Sequence, residues 1–183
     1  VQLTLPAISP EAPAGLAEPP PRDYTVRAQL DGVNLTLPAL RAPAQRVRGA
    51  FELHNYDIKV ADLRGTILDG PFELSATPDR PTREVEAAVD IVAQGRAAGQ
   101  KLPAFIGLPA TITMGGATDW SLRGRIEKRR AGGTWPLTFD VTSPLVGLSI
   151  QAPRPFAKAA AEARPTRVRL DIPGSQVNDV ALE

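Results

Sequence analysis

The residues able to do acid–base, nucleophilic or metal chemistry are few in this chain and poorly placed for it. His54 is the only histidine, and there is no cysteine. Thiol catalysis, disulfides and thiolate metal sites are therefore excluded. His54 stands in the run HNYD with Asp57, and reads as a surface turn residue rather than a base. A zinc site would have to lean on carboxylates, an uncommon donor set for that metal. Asp31, Asp62, Asp69 and Asp79 mostly adjoin glycine or arginine in turn signals, where short acceptors steady the backbone. A carboxylate pair assembled only by folding, as glycosidases use, leaves no trace in sequence. Neither a Gly-x-Ser-x-Gly elbow nor a Gly-x-x-x-x-Gly-Lys-Ser/Thr loop occurs. Nothing here calls for a catalytic residue, a cofactor or a metal.

Charge is equally uninformative about partners. With 21 basic and 20 acidic residues the formal net charge is +1, which gives no electrostatic reason to expect nucleic acid. Arg125, Lys128, Arg129 and Arg130 form the densest basic cluster and are expected on an exposed hairpin tip. Trp120 and Trp135 carry two readings that are not exclusive: core anchors that bury large area, or the lining of an apolar groove.

The elements that would position these residues are short strands. Apolar residues make up 43% of the 183, enough for a core, and 19 prolines with 15 glycines punctuate them. Tyr24, Val26, Ala28 and Leu30 alternate with polar neighbours, then Val33, Leu35 and Leu37 do so out of phase, which marks a bulge or tight turn at Asp31-Gly32. Val47, Gly49, Phe51 and Leu53 alternate, as do Ile58 and Val60; Leu63, Gly65 and Ile67; and Phe72, Leu74 and Ala76. Strand-plus-turn units of this spacing predict antiparallel hairpins in succession. Val85 to Ala93 alternates too, and strand is preferred there over an alanine–glutamate helix. Trp120, Leu122, Gly124 and Ile126 face Leu137, Phe139 and Val141 in an expected hairpin across KRRAGGT. A strand is expected over Leu145 to Ala152, and another over Arg167 to Ile172. Short helices are expected in RAAGQKLPAFIGLP and in the proline-bounded RPFAKAAAEARP. VQLTL and VNDVALE look like terminal strands.

The reading is a mainly β fold: a long curved antiparallel sheet, open groove or sandwich-like, with two short helices. Residues 1–22 form a strand plus proline-rich connector, 23–96 an antiparallel meander, and 97–183 hairpins with the short helices. No signal peptide and no apolar run of about eighteen residues is present.

One stretch is similar to a known family. Gly116, Thr118 and Trp120 open a strand; Ser143, Leu145, Gly147, Leu148 and Ile150 follow; then Pro153, Pro155, Phe156, Lys158, Ala160 and Glu162. In this order they resemble the AsmA-like proteins of the YhdP type, as does the segment Gly99 to Pro109 ending in Gly-Leu-Pro. The match covers roughly residues 97–173, and Pro144 departs from the acidic residue expected before the leucine. The resemblance implies a periplasmic piece of a longer, inner-membrane-anchored protein of a Gram-negative bacterium. It also implies a bent β-sheet that carries phospholipids between inner and outer membrane along a hydrophobic groove.

Physical reasoning points the same way. A sheet with one apolar face and only two short helical candidates must close, pair with another sheet, or leave a groove. The inner positions carry almost no charge, which suits acyl chains, whose burial gains roughly 25 cal/mol per Å². The candidate lining is Phe51, Leu53, Phe72, Leu74, Val89, Ile91, Trp120, Leu122, Ile126, Leu137, Phe139, Val141, Leu148, Ile150, Val168 and Leu170. The expected partners are phospholipid acyl chains, with the membrane reached through the parent protein's anchor. A non-catalytic structural or assembly module of the envelope is the alternative, and a carbohydrate-binding domain a third.

Overall fold

A computed structural model describes residues 24–36, 43–55, 57–130 and 135–175. The expected strand in VQLTL, the proline-rich connector and the expected strand in VNDVALE lie outside the described residues. Nine strands follow one another: β1 (Thr25–Leu35), β2 (Ala44–His54), β3 (Asp57–Ile67), β4 (Gly70–Asp79), β5 (Val85–Ala98), β6 (Thr113–Arg129), β7 (Trp135–Ser143), β8 (Leu148–Gln151) and β9 (Thr166–Ser175). They form one open antiparallel sheet in the order β1-β2-β3-β4-β5-β6-β7-β9, with β8 paired to the first residues of β6. A mainly β, open sheet is thus the architecture, and among the described residues β1 and β9 are its two edges.

Local chemistry explains the turns. Between β3 and β4 a two-residue loop, Leu68-Asp69, has both residues at positive φ (51° and 58°), the conformation that matches the right-handed twist of a hairpin. A non-glycine residue there costs about 1–2 kcal/mol, and the Leu68 carbonyl recovers part of it by accepting from Ala98 N–H at 2.9 Å. That bond curls the turn onto β5. The Cα atoms of β3 and β5 approach within 8 Å although β4 lies between them; a flat sheet would hold them about 9.5 Å apart. Register shifts in β1–β3, among them the expected one between Asp31 and Val33 with Gly32 at φ 72°, bend the strands further.

Two expectations need correction. RPFAKAAAEARP forms no helix: residues 153–165 are turns and extended backbone with a single bridge, Ile150 to Lys158. Pro155 and Pro165 bound the run, and the Lys158 ammonium turns inward onto the carbonyls of Leu148 and Ala159 at 2.7 and 3.0 Å. Tertiary bonding overrides the helical propensity of alanine. Among the described residues the one α-helix is α1 (Leu102–Ile106), preceded by a 3-10 turn at Gly99–Lys101 and ended by Gly107 in the left-handed region. The strand expected from Leu145 begins only at Leu148, because Leu145 and Gly147 both take positive φ.

The densest packing lies where Ala44, Val47 and Phe72 meet Leu30, Leu35, Leu63, Ile67, Leu74 and Trp120. A row of small residues (Ala76, Ala87, Ala93 and Ala97, none above 4% exposed) continues it along β4 and β5.

Candidate functional site: an apolar face crossing eight strands

Directly paired residues in an antiparallel ladder share a face, so the register draws the site. One row runs unbroken from edge to edge: Ala28, Phe51, Val60, Ala76, Ile91, Gly124, Phe139 and Leu170. A second row joins Leu63, Leu74, Ala93, Leu122, Val141 and Val168. A third joins Val89, Ile126 and Leu137. At the other end of the strands Gly65, Phe72, Gly95 and Trp120 line up.

Three pairs in two of these rows set an aromatic ring opposite a glycine. A Cβ on Gly65 would stand 2.9 Å from Phe72 Cε1, one on Gly95 2.8 Å from Trp120 Cζ2, and one on Gly124 2.5 Å from Phe139 Cδ1. Each ring therefore lies down over its glycine instead of standing off the sheet. The rings cover backbone that a bare glycine would expose, and they keep the face low.

Fourteen of the sixteen candidates sit on this face. Phe51, Leu53, Leu74, Ile91, Trp120, Leu122, Ile126, Leu137, Phe139 and Val141 are half-buried, Phe72 and Val89 buried, and Val168 and Leu170, on edge strand β9, are 46% and 49% exposed. Leu148 and Ile150 sit apart. They pair with Gly116 and Met114 in the short ladder of β8, where Leu148 is 1% exposed beneath Gly99. The face also includes Val26 and Ile58, which flank Leu53, and Ala28, Val60 and Leu63, none of them among the sequence candidates. Their alternation is visible in sequence, but the pairing that aligns them is not.

Among the described residues no element covers this face; α1 packs on the 3-10 turn and the start of β6. Its charged limit is Lys128, opposite Ala87, whose Nζ meets Glu86 Oε2 at 2.9 Å. Trp120 Nε1 is buried within it without an acceptor among the described residues, a desolvation cost of about 1–3 kcal/mol. At the same end the buried Thr118 hydroxyl meets Ser143 Oγ at 3.1 Å.

The opposite face is ionic. Arg27 pairs with Glu52, Arg48 with Asp31, Arg64 with Asp62 and Glu73, Arg96 with Asp119, and Arg167 with Asp140. Arg125 is not on a hairpin tip as expected but on β6, where it is held by three carboxylates. Nη1 meets Asp90 at 2.7 Å, Nη2 meets Asp79 at 2.9 Å and Nε meets Glu127 at 2.9 Å. The hydrogen bond to Glu127, then those to Asp79 and Asp90, raise its pKa further above the ordinary arginine value. The Arg125 guanidinium in turn holds the Asp79 carboxyl below its ordinary 3.8. His54 ends β2 with Nδ1 at 2.9 Å from Thr25 Oγ1. Among the described residues no group of three His, Asp or Glu side chains is placed to hold a metal ion, and no helix is long and apolar enough to cross a membrane.

A protein-family model described as "YhdP protein" matches residues 16–181. No curated protein and no solved structure matches the chain.

Proposed function

Since this chain belongs to the YhdP family of AsmA-like envelope proteins, we propose that its apolar face carries phospholipid acyl chains between the inner and outer membranes. The observation that supports this reading is the row from Ala28 to Leu170, which no element among the described residues covers. Eight strands at about 4.8 Å spacing make that row about 34 Å long, roughly twice the reach of one acyl chain in a bilayer with a 30 Å core. Each methylene withdrawn from water onto such a surface gains about 0.8 kcal/mol. The row holds no charged side chain, and Lys128 stands only at the limit of the face, so contact with the row is by packing alone and is blind to the headgroup. Catalysis has no part in this function. The protein sits in the periplasm, tethered to the inner membrane through other parts of its parent chain.

A second reading, a structural module of the envelope, draws on the buried cluster of Val47, Phe72 and their neighbours, which closes one end of the face. A carbohydrate site would set aromatic rings beside carboxylates, whereas here Phe51, Phe72, Trp120 and Phe139 lie on one face and Asp79, Asp90 and Glu127 are drawn to Arg125 on the other. Native mass spectrometry of the gently purified chain separates the first two readings. The transport reading expects bound phospholipid in the wild type, and its loss in Phe139→Asp and Leu122→Asp variants that keep a β-sheet circular dichroism spectrum. A folded wild type that binds no lipid when incubated with it favours the structural module.

A further inference from the structure

The loop that replaced the expected helix buries a cation that forms an ion pair with no carboxylate among the described residues. Lys158 is 4% exposed. Its ammonium spends two of its three hydrogens on the carbonyls of Leu148 and Ala159. Among the described residues no carboxylate lies within ion-pair distance of it. The acid on the same loop, Glu162, is taken by Arg164 at 2.8 Å, and that bond, ahead of any effect of Lys158, holds its pKa low. A buried charge without a counter-ion is costly, so the site is short of negative charge.

Its surroundings deepen the deficit. A concavity beside β8 is lined by Ile150, Arg154, Pro155, Ala157, Lys158 and Ala159, a set with two cations and no acid. Arg154 is exposed and has no ion-pair partner among the described residues. Lys158 exchanges both backbone hydrogen bonds with Ile150, whereas the amides of Ala157 and Ala159 on either side of it donate to no described acceptor. The residues that line this one hollow thus carry a guanidinium, an ammonium with a hydrogen to spare and two amides that donate to no described acceptor, the donor set that phosphate oxygens take.

We propose that this hollow is a phosphate-binding site, with Arg154 and Lys158 as its cationic ligands and the Ala157 and Ala159 amides as its neutral donors. The phosphate is either a phospholipid headgroup or a free phosphate or phosphoester. The headgroup source rests on the transport reading above; phosphate capture as such does not. Ile150 joins the hollow to the short ladder of β8, so a lipid held here would present its headgroup off the apolar rows.

The test is an amide NMR titration of the full chain with inorganic phosphate and, separately, with dihexanoyl phosphatidylglycerol, against chloride at matched ionic strength. Saturable shifts at Ala157, Lys158 and Ala159 are expected, with affinity lowered roughly tenfold by Arg154→Gln. Arg154 is exposed and makes no hydrogen bond or ion pair among the described residues, so that variant keeps the test valid even if Lys158→Met unfolds the loop. Saturation by both probes assigns the site to phosphate in general, and saturation by the lipid alone assigns it to a headgroup. No saturable shift with either probe, or shifts that Arg154→Gln leaves unchanged, would overturn the proposal. Phosphate shifts in a protein whose apolar face binds no lipid would sink the transport reading and leave this site standing.

Discussion

The two faces of the sheet are made from alternate residues of the same strands, yet they obey different rules. On one, arginines and acids pair across strands from Arg27 and Glu52 to Arg167 and Asp140. On the other, eight strands contribute hydrocarbon or glycine along an unbroken row. Antiparallel sheets ordinarily solvate one face and pack the other against a second layer. Among the described residues that second layer is missing. The comparison teaches that alternate residues of the same strands can give one face ion pairs and the other hydrocarbon that no described element covers.

The comparison can be broken most severely from the inner side. Phe72→Ala removes a buried ring from the cluster with Val47 and is expected to cost about 3 kcal/mol or more, read from urea unfolding. Next comes Gly124→Ala, whose new Cβ would press on Phe139. Overpacking of this kind costs about 1–3 kcal/mol, and Phe139→Leu in the same chain should restore part of it. A full restoration by Phe139→Leu is not required, but no restoration at all would refute the ring-over-glycine contact.

The outer face should yield less and depend on pH. Arg125→Met frees three carboxylates that the guanidinium now holds. In the wild type Asp79 titrates below its ordinary 3.8, so its ion pair stabilises the fold fully above that value. The stabilisation fades as pH falls through the lower folded pKa. Stability of the wild type should therefore drop more steeply below about pH 4 than that of Arg125→Met, as followed by urea midpoints. Equal slopes would show the cluster to be energetically idle. Smallest of all, Arg27→Gln at an exposed pair should change stability by less than about 0.5 kcal/mol.

How much of this could be read from the sequence differs by element. Alternation alone placed Phe51, Leu122, Phe139 and Val168 on a common side of their strands, because a period of two leaves few choices. It could not say that Ile91 pairs with Gly124 and Gly124 with Phe139, since register depends on turns and bulges between distant segments. The glycine-over-ring contacts were hidden for the same reason. RPFAKAAAEARP misled because alanine propensity is a local property, while Lys158 is fixed by carbonyls ten residues away and next door. Arg125 looked like part of a basic tip because its partners Asp79 and Asp90 arrive from β4 and β5. Leu148 kept its apolar character but joined a different ladder.

The most direct test of the central claim compares the faces in one experiment. A photo-crosslinking residue is placed singly at Phe139 or Leu122 on the inner face, and at Thr138 or Arg123 on the outer face, in cells or with added phospholipid. The account predicts lipid adducts from Phe139 and Leu122 and none above background from Thr138 and Arg123. Adducts of equal yield from both faces, or from the outer face alone, would contradict it.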